Sequence, residues 1–446
     1  MMWVVSLPAS ALANGAYSHV HMSQIAADAL PPGELRTLLS VPENRAALES
    51  GSMFPDSGYA VDDAYGELAH WEPFLSALIA QLRATHGGDY SSEEAQRQVA
   101  FLLGVASHGM ADQSYDTTLL DRAFEVDGPE NDVAPVDQYA DYFIVIDEDV
   151  VFTVEPWAPY GEVAPAIATV GHTVTEGTLL NGVNRMAAVL GVQGNVRIAR
   201  NLYWDAWASY PFLGTHIYNP EAVGSLTWVA ALVAEYWEVL LHRLRATDDA
   251  DTELVLRTVP EDGAVNWPVD LAESEAWHRP AVWFGYGIDR DQIAPLITLT
   301  DETSGEAVPV TLQTAYGGRQ RNLVFLRPGE ALAHDTVHTV EIAAGVTTLD
   351  GRTTSAPQLF SFRTRCAPDR LADCPPLPSP LVTGPVPSRP DAGPPRPDAG
   401  PPAHDAGPAE EGGGGCSMAP TPSAPDFTWP LLCLALVLGV RKSPMR

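Results

Sequence analysis

The chain has 446 residues, 46% hydrophobic and 18% charged, with a formal net charge of −32. That length suits two folded units with appendages better than one domain. The acidity argues against nucleic acid as a partner, since phosphate binding wants a basic face, but it leaves room for a phosphate ester held through metal ions on carboxylates. The four cysteines, Cys366, Cys374, Cys416 and Cys433, all lie late, so no thiolate site is available before them.

The first stretch, MMWVVSLPASALANG, places Ala11-Leu12-Ala13 where a signal peptidase would cut after a short apolar run. Residues 1–13 are therefore expected to be a signal peptide, shortened because the basic start is missing, and the protein to be exported. Residues 14–270 carry mostly helical patterns. In HWEPFLSALIAQLRATHGG, Pro73 stands in a first turn, Phe74, Leu75, Leu78, Ile79 and Leu82 keep helical spacing, and Gly87-Gly88 ends the run. SSEEAQRQVAFLLGVASHGMAD opens on a serine cap and an acidic first turn.

From Trp277 the grammar changes. ITLTDETSGEAVPVTL, NLVFLRPGEAL, HTVEIAAGV and LFSFRT are short alternating runs split by turn residues, which predicts an all-β sandwich over 277–365. Their order resembles a bacterial Ig-like domain, whose default role is a stalk or spacer. Cys366 and Cys374 would close a small loop in an exported protein. The Pro/Asp/Ala/Gly-rich tract, 366–415, cannot bury a core and reads as a disordered linker. Residues 416–446 then give Gly-Cys, a short apolar segment from Phe427 to Val440, and the basic pair Arg441-Lys442. This resembles the MYXO-CTERM sorting signal of myxobacterial surface proteins. The resemblance implies a membrane anchor through the tail, at the cell surface or outer membrane, or secretion after the tail is processed.

The helical part also gathers histidines and carboxylates. His19 enters a helix, Asp56 follows Pro55 in a turn, and His70 opens the helix of HWEPFL. His108, Asp112 and Asp116 recur at four-residue intervals, the spacing of one helix face. Imidazoles and carboxylates from separate segments are a zinc ligand set, and two metal ions can share a bridging carboxylate. Taken singly, His19 or His70 reads as a cap or surface residue, Asp56 as a turn former, and His108 with Asp112 as a local pair.

The linked motifs SHVHMSQIAADAL, SGSMFPDSGY, HWEPFLSALI and VAFLLGVASHGMAD resemble the zinc-dependent phospholipase C family, in particular the N-terminal catalytic domain of glycosylphosphatidylinositol-specific phospholipase D. The likeness runs over about residues 16–142. It implies a mainly α helical-bundle catalytic domain, an architecture shared with single-strand nucleases, beside the small β-sandwich. It also implies hydrolysis of phosphodiesters in phospholipid or glycolipid head groups. By position, Asp56, His70 and His108 would hold one zinc ion, Asp112 would bridge to a second that His19 also binds, and Asp56 would orient or deprotonate the attacking water.

Two family histidine positions are changed, to Asp116 and Val133, and Asp137 takes the acidic place downstream. A third metal site would thus have lost both imidazoles. Asp116, Asp132, Asp137 and Asp141 would suit a harder cation, or form a solvated acidic patch, which is the preferred reading. Those losses favour a rival, a surface binding or structural protein with a degraded metal site. An exported zinc nuclease is the other rival. Oligomeric state is not legible in the sequence.

Overall fold

The protein is seen in a computed structural model that describes residues 15–128, 136–269, 279–314, 318–319 and 321–373. The signal peptide, most of the linker and the whole sorting tail lie outside the described residues. Among the described residues, no helix is long and apolar enough to cross a membrane.

Helices dominate from Ala16 to Glu253. In chain order they are α1 (Ala16–Ala29), α2 (Glu34–Leu39), α3 (Pro42–Ser57), α4 (Tyr65–Ala69), α5 (Glu72–His86), α6 (Glu93–Ala111), α7 (Asp121–Asp127) and α8 (Val136–Asp147). There follow α9 (Tyr160–Thr169), α10 (Glu176–Gln193), α11 (Val196–Ser209), α12 (Pro211–His216), α13 (Leu226–Arg245) and α14 (Ala250–Glu253). A π-helical stretch, Asp112–Leu120, joins α6 to α7. Local chemistry explains the two helices nearest the site. In α6 the Ser92 side chain accepts from the Ala95 N–H, with Glu93 and Glu94 in the first turn against the positive end of the dipole. Proline stands in the first turn of α5, and Gly87, at φ 62°, closes it in the left-handed region that glycine enters without steric cost.

Helices α3 and α6 approach unusually closely. A Cβ on Gly104 would lie 2.1 Å from the Leu48 carbonyl oxygen, and one on Gly51 would lie 2.2 Å from that of Phe101. Only glycine lets the two backbones meet there. The apolar residues around the crossing, among them Leu48, Phe54, Phe101 and Leu102, are buried.

The second part is a β-sandwich. Its strands are β1 (Val255–Val259), β2 (Ala264–Trp267), β3 (Ala281–Phe284), β4 (Ile297–Asp301), β5 (Glu306–Val308), β6 (Val310–Gln313), β7 (Leu323–Pro328), β8 (Val337–Ile342) and β9 (Gln358–Thr364). One sheet has the order β1-β3-β7-β6 and the other β2-β9-β8-β4-β5. Pairing is antiparallel except for β2 with β9. In the second sheet Val340 stands opposite Leu299 on one side and Phe360 on the other, and all three are buried.

Two expectations need correction. Strands begin at Val255, ahead of the boundary expected at Trp277. The segments VLRTV and AVNW are too short to reveal an alternation, and their partners, β3 and β9, lie later in the chain. Nor does the β-domain stand apart like a stalk. Every residue of β3 is buried, as happens when both faces of a strand are covered. Trp283 of β3 packs edge-on against Trp228 of α13, with centroids 5.0 Å apart, and its Nε1 donates to Ser114 Oγ at 2.9 Å. Cys366 is disulfide-bonded; its expected partner, Cys374, lies outside the described residues.

Candidate metal centre

Five side chains from five segments converge between α1, α3 and α6. His19 comes from α1, Asp56 from the last turn of α3, His70 from the link between α4 and α5, and His108 from α6. Asp112 begins the π-helical stretch. Asp56 is thus helical, not in a turn, and Pro55 precedes it inside α3. None of the five is more than 6% exposed.

The groups nearly touch. His19 Nε2 lies 3.2 Å from Asp112 Oδ1, while the other Asp112 oxygen lies 3.5 Å from His70 Nε2 and 3.7 Å from His108 Nε2. Asp56 Oδ1 lies 3.4 Å from His70 Nε2 and 3.8 Å from His108 Nε2. The rings of His19 and His108 stack with centroids 3.7 Å apart, and His70 meets His108 edge-on. Two overlapping sets, His19 with Asp56 and His108, and His70 with His108 and Asp112, each bring three ligand atoms within 4.8 Å of one another.

The backbone fixes which nitrogens face the centre. His70 Nδ1 donates to the Gly66 carbonyl oxygen at 2.6 Å, and His108 Nδ1 donates to that of Ser52 at 2.7 Å. A carbonyl oxygen can only accept, so both Nδ1 atoms carry protons and both Nε2 atoms face inward. The Gly51–Gly104 crossing is what brings the Ser52 carbonyl to His108. Gly109 does the same beneath His70, since a Cβ there would lie 2.3 Å from the His70 oxygen. Gly104→Ala should force the two backbones apart, at a cost of ~1–3 kcal/mol for an overpacked core. A lowered Tm with reduced metal uptake is the expected result; an unchanged Tm would refute this account of the crossing.

The electrostatics are unbalanced. Burial lifts the Asp56 carboxyl above its ordinary range, against the pull of His70. Burial also pushes His108 well below its ordinary value, helped by His19 beside it. His70 rises to about 9: its burial opposes protonation, but Asp56 and Asp112 outweigh that. Burial opposes ionisation of Asp112 as well, yet His108, His19 and His70 hold it below the usual carboxylate range. Both oxygens of Asp56, both nitrogens of His19 and Nε2 of His108 are buried without a hydrogen bond; the contacts above are close but not aligned as hydrogen bonds. Buried polar atoms left in that state are costly. Imidazole lone pairs and carboxylate oxygens facing one another fit a bound divalent cation, which would satisfy them together.

The expected third site fares differently. Asp116 is partly buried in the π-helical stretch and belongs to neither ligand set. The wider i→i+5 turn breaks the four-residue count on which its place in the stripe rested. Asp137 lies on α8, with its side chain outside the described residues, as are Asp132 and Val133. Asp141 is fully buried and not part of a solvated patch: its Oδ1 accepts from Ser18 N and Oγ at 3.0 and 2.7 Å, tying α8 to α1 beside His19. Sequence reasoning missed Glu72, Gln113 and Arg243, all buried near the centre. The signal for Arg243 was a guanidinium set between Leu241 and Leu244 in the last turn of the apolar α13.

Comparisons with known proteins agree with this geometry. Residues 18–115 match the zinc dependent phospholipase C family, a span that includes all five converging side chains, and residues 249–364 match the bacterial Ig-like domain. The helical part is thus similar to the zinc dependent phospholipase C family over that span, and the β-sandwich to the bacterial Ig-like domain. Phosphatidylinositol-glycan-specific phospholipase D of Rattus norvegicus is 33% identical over 88 residues, 18% of this chain and 10% of that protein. The Dictyostelium discoideum protein of the same name is 40% identical over 77 residues, 17% of this chain and 8% of its own. For the Homo sapiens protein the figures are 32% over 88 residues, 18% and 10%. The match therefore spans about a tenth of the length of these relatives. Among solved structures, surface layer protein SbsC, domains 1–6, aligns at a TM-score of 0.19 and 10% identity over 66% of this chain and 45% of its own, a likeness that carries no argument.

Proposed function

We propose that the protein is an exported, surface-anchored, metal-dependent phosphodiester hydrolase acting on phospholipid or glycolipid head groups. His19, Asp56, His70, His108 and Asp112 would hold two zinc ions. One observation carries this reading: three imidazoles and two carboxylates converge in a buried centre, where both oxygens of Asp56, both nitrogens of His19 and Nε2 of His108 have no hydrogen bond. Asp112 turns one oxygen to His19 and the other to His70 and His108, the posture of a bridging carboxylate. When bound, zinc lowers the pKa of a coordinated water toward neutrality and offsets charge on a phosphoryl group. The chain's own part is to turn Nε2 of His70 and of His108 toward the centre through Gly66 and Ser52, to keep Asp56 with a second oxygen for the water's proton, and to exclude bulk solvent. The likeness to phospholipases supports a lipid substrate over nucleic acid, as does the net charge of −32.

A second reading, a structural metal site in a surface binding protein, is favoured by how closed the cluster is, with no ligand above 6% exposure. The purified full chain separates the two. It should carry zinc and release phosphorylated head group from mixed vesicles of phosphatidylcholine and phosphatidylinositol; a chelator should abolish the release and lower Tm, and zinc should restore both. Zinc near zero per chain would sink both readings. Zinc without turnover would select the structural one.

A further inference from the structure

The β-domain touches the helical part around the end of α13 and α14, through Arg352 on Asp248 and Ser355 on Asp251, and a second group of its contacts falls beside the ligands. Gln113 follows Asp112 directly. Its Oε1 accepts from the N–H groups of Arg321 and Asn322 at 3.1 and 2.8 Å, and its Nε2 donates to Asn322 Oδ1 at 3.4 Å. The same Nε2 donates to the Gly109 carbonyl oxygen at 3.0 Å, on the residue after His108. Asn322 in turn donates from Nδ2 to Glu72 Oε2 at 3.3 Å. Glu72 stands two residues after His70 and is pressed by the β-domain backbone, where a Cβ on Gly287 would lie 2.1 Å from its Cγ. Ser114, two residues after Asp112, accepts from Trp283. Before His70, Glu67 accepts from Arg319 of the β-domain at 2.6 Å.

Gln113, Asn322 and Glu72 are all buried. Buried polar groups that are fully partnered hold one geometry, because breaking any bond leaves a donor or acceptor without water. The partners here fix the first residues of the π-helical stretch and the start of α5. Asp112 and His70 take their positions from those two segments. A cavity of about 10 Å³, about one water in size, touches His70, Glu72, Gln113 and Asn322 together.

We infer that the β-domain is a working part of the metal centre, with Asn322 as a positioning residue acting through Gln113 on Asp112 and through Glu72 on His70. This rests on the metal reading above. Groups that orient metal ligands change metal affinity about 10–100-fold when removed, whereas a spacer domain would leave it unchanged.

The test uses the purified full chain and three variants: Asn322→Ala, Trp283→Phe and Val340→Ala. Val340, buried between Leu299 and Phe360, serves as a control that weakens the sandwich without removing a bond to the helices. Zinc affinity is read by competition with a chromogenic chelator, well below each variant's Tm, and ligand geometry by the visible spectrum of the cobalt-loaded protein. Asn322→Ala should bind zinc at least about 10-fold more weakly with a shifted cobalt spectrum. Trp283→Phe should change both in the same direction, and decides the matter if Asn322→Ala does not fold. Val340→Ala should lose stability with affinity and spectrum intact. Parental affinity and spectrum in Asn322→Ala and Trp283→Phe would overturn the inference alone, as would an equal loss in Val340→Ala. A parent chain that binds no zinc would overturn the metal reading and this inference with it.

Discussion

His108→Ala is expected to leave a folded protein that has lost bound zinc and at least about 10³-fold in head-group release. His108 belongs to both ligand sets, and its Nε2 is held inward by the bond from Nδ1 to the Ser52 carbonyl. Metal ions contribute several kcal/mol to stabilising charge in the transition state, and each ~1.4 kcal/mol is a factor of ten in rate. The alanine also leaves a space beside the stacked His19 ring, 3.7 Å away, so some loss of Tm should accompany the loss of zinc. Zinc content by elemental analysis and turnover on vesicles are the two measurements. Full zinc occupancy and undiminished turnover in the variant would remove His108 from the site and with it the proposed function.

The second large effect belongs to the buried pair of Glu72 and Arg243. Arg243 Nη2 donates to Glu72 Oε1 at 2.5 Å and to Ser76 Oγ at 3.0 Å, and both charged side chains are nearly sealed from water. Its Nε lies 3.6 Å from Asp350, on the β-domain. Arg243→Met would strand the Glu72 carboxylate. Breaking such a pair costs ~3–5 kcal/mol, which for a protein of this size lowers Tm on the order of 10 °C. Adding Glu72→Gln should recover part of that loss. The amide keeps an acceptor for the Tyr236 hydroxyl, which donates to Glu72 Oε2 at 2.8 Å, and removes the stranded charge. Thermal unfolding of the single and double variants checks this; a double variant less stable than Arg243→Met would show that the charge on Glu72 itself is not the cost.

Much of the helical part was legible. The starts and stops of α5 and α6 follow from Pro73, Gly87 and Ser92, and the structure places them accordingly. The five converging residues could be named because their flanking motifs occur in a fixed order. What local pattern could not supply was the company they keep. The carbonyls of Ser52 and Gly66 leave no mark on residue identity, since every residue has one. Asn322 lies 209 positions from Gln113, and nothing in either neighbourhood announces the other. Asp116 stands outside both ligand sets, and the residues after Asp112 fold as a π-helix, where an α-helical count does not hold. The first strands were missed because strand pairing, not strand sequence, makes them.

Since Trp283, Asn322 and Asp350 reach into the helical part, the two domains are not interchangeable modules. An Ig-like domain of unrelated sequence joined after α13 would bring the same fold and the same sheet order. It would not bring the indole for Ser114 or the amide for Gln113 and Glu72, and those groups would be buried facing the wrong chemistry. A swap of the β-domain would therefore have to replace the helical side of the seam in the same step.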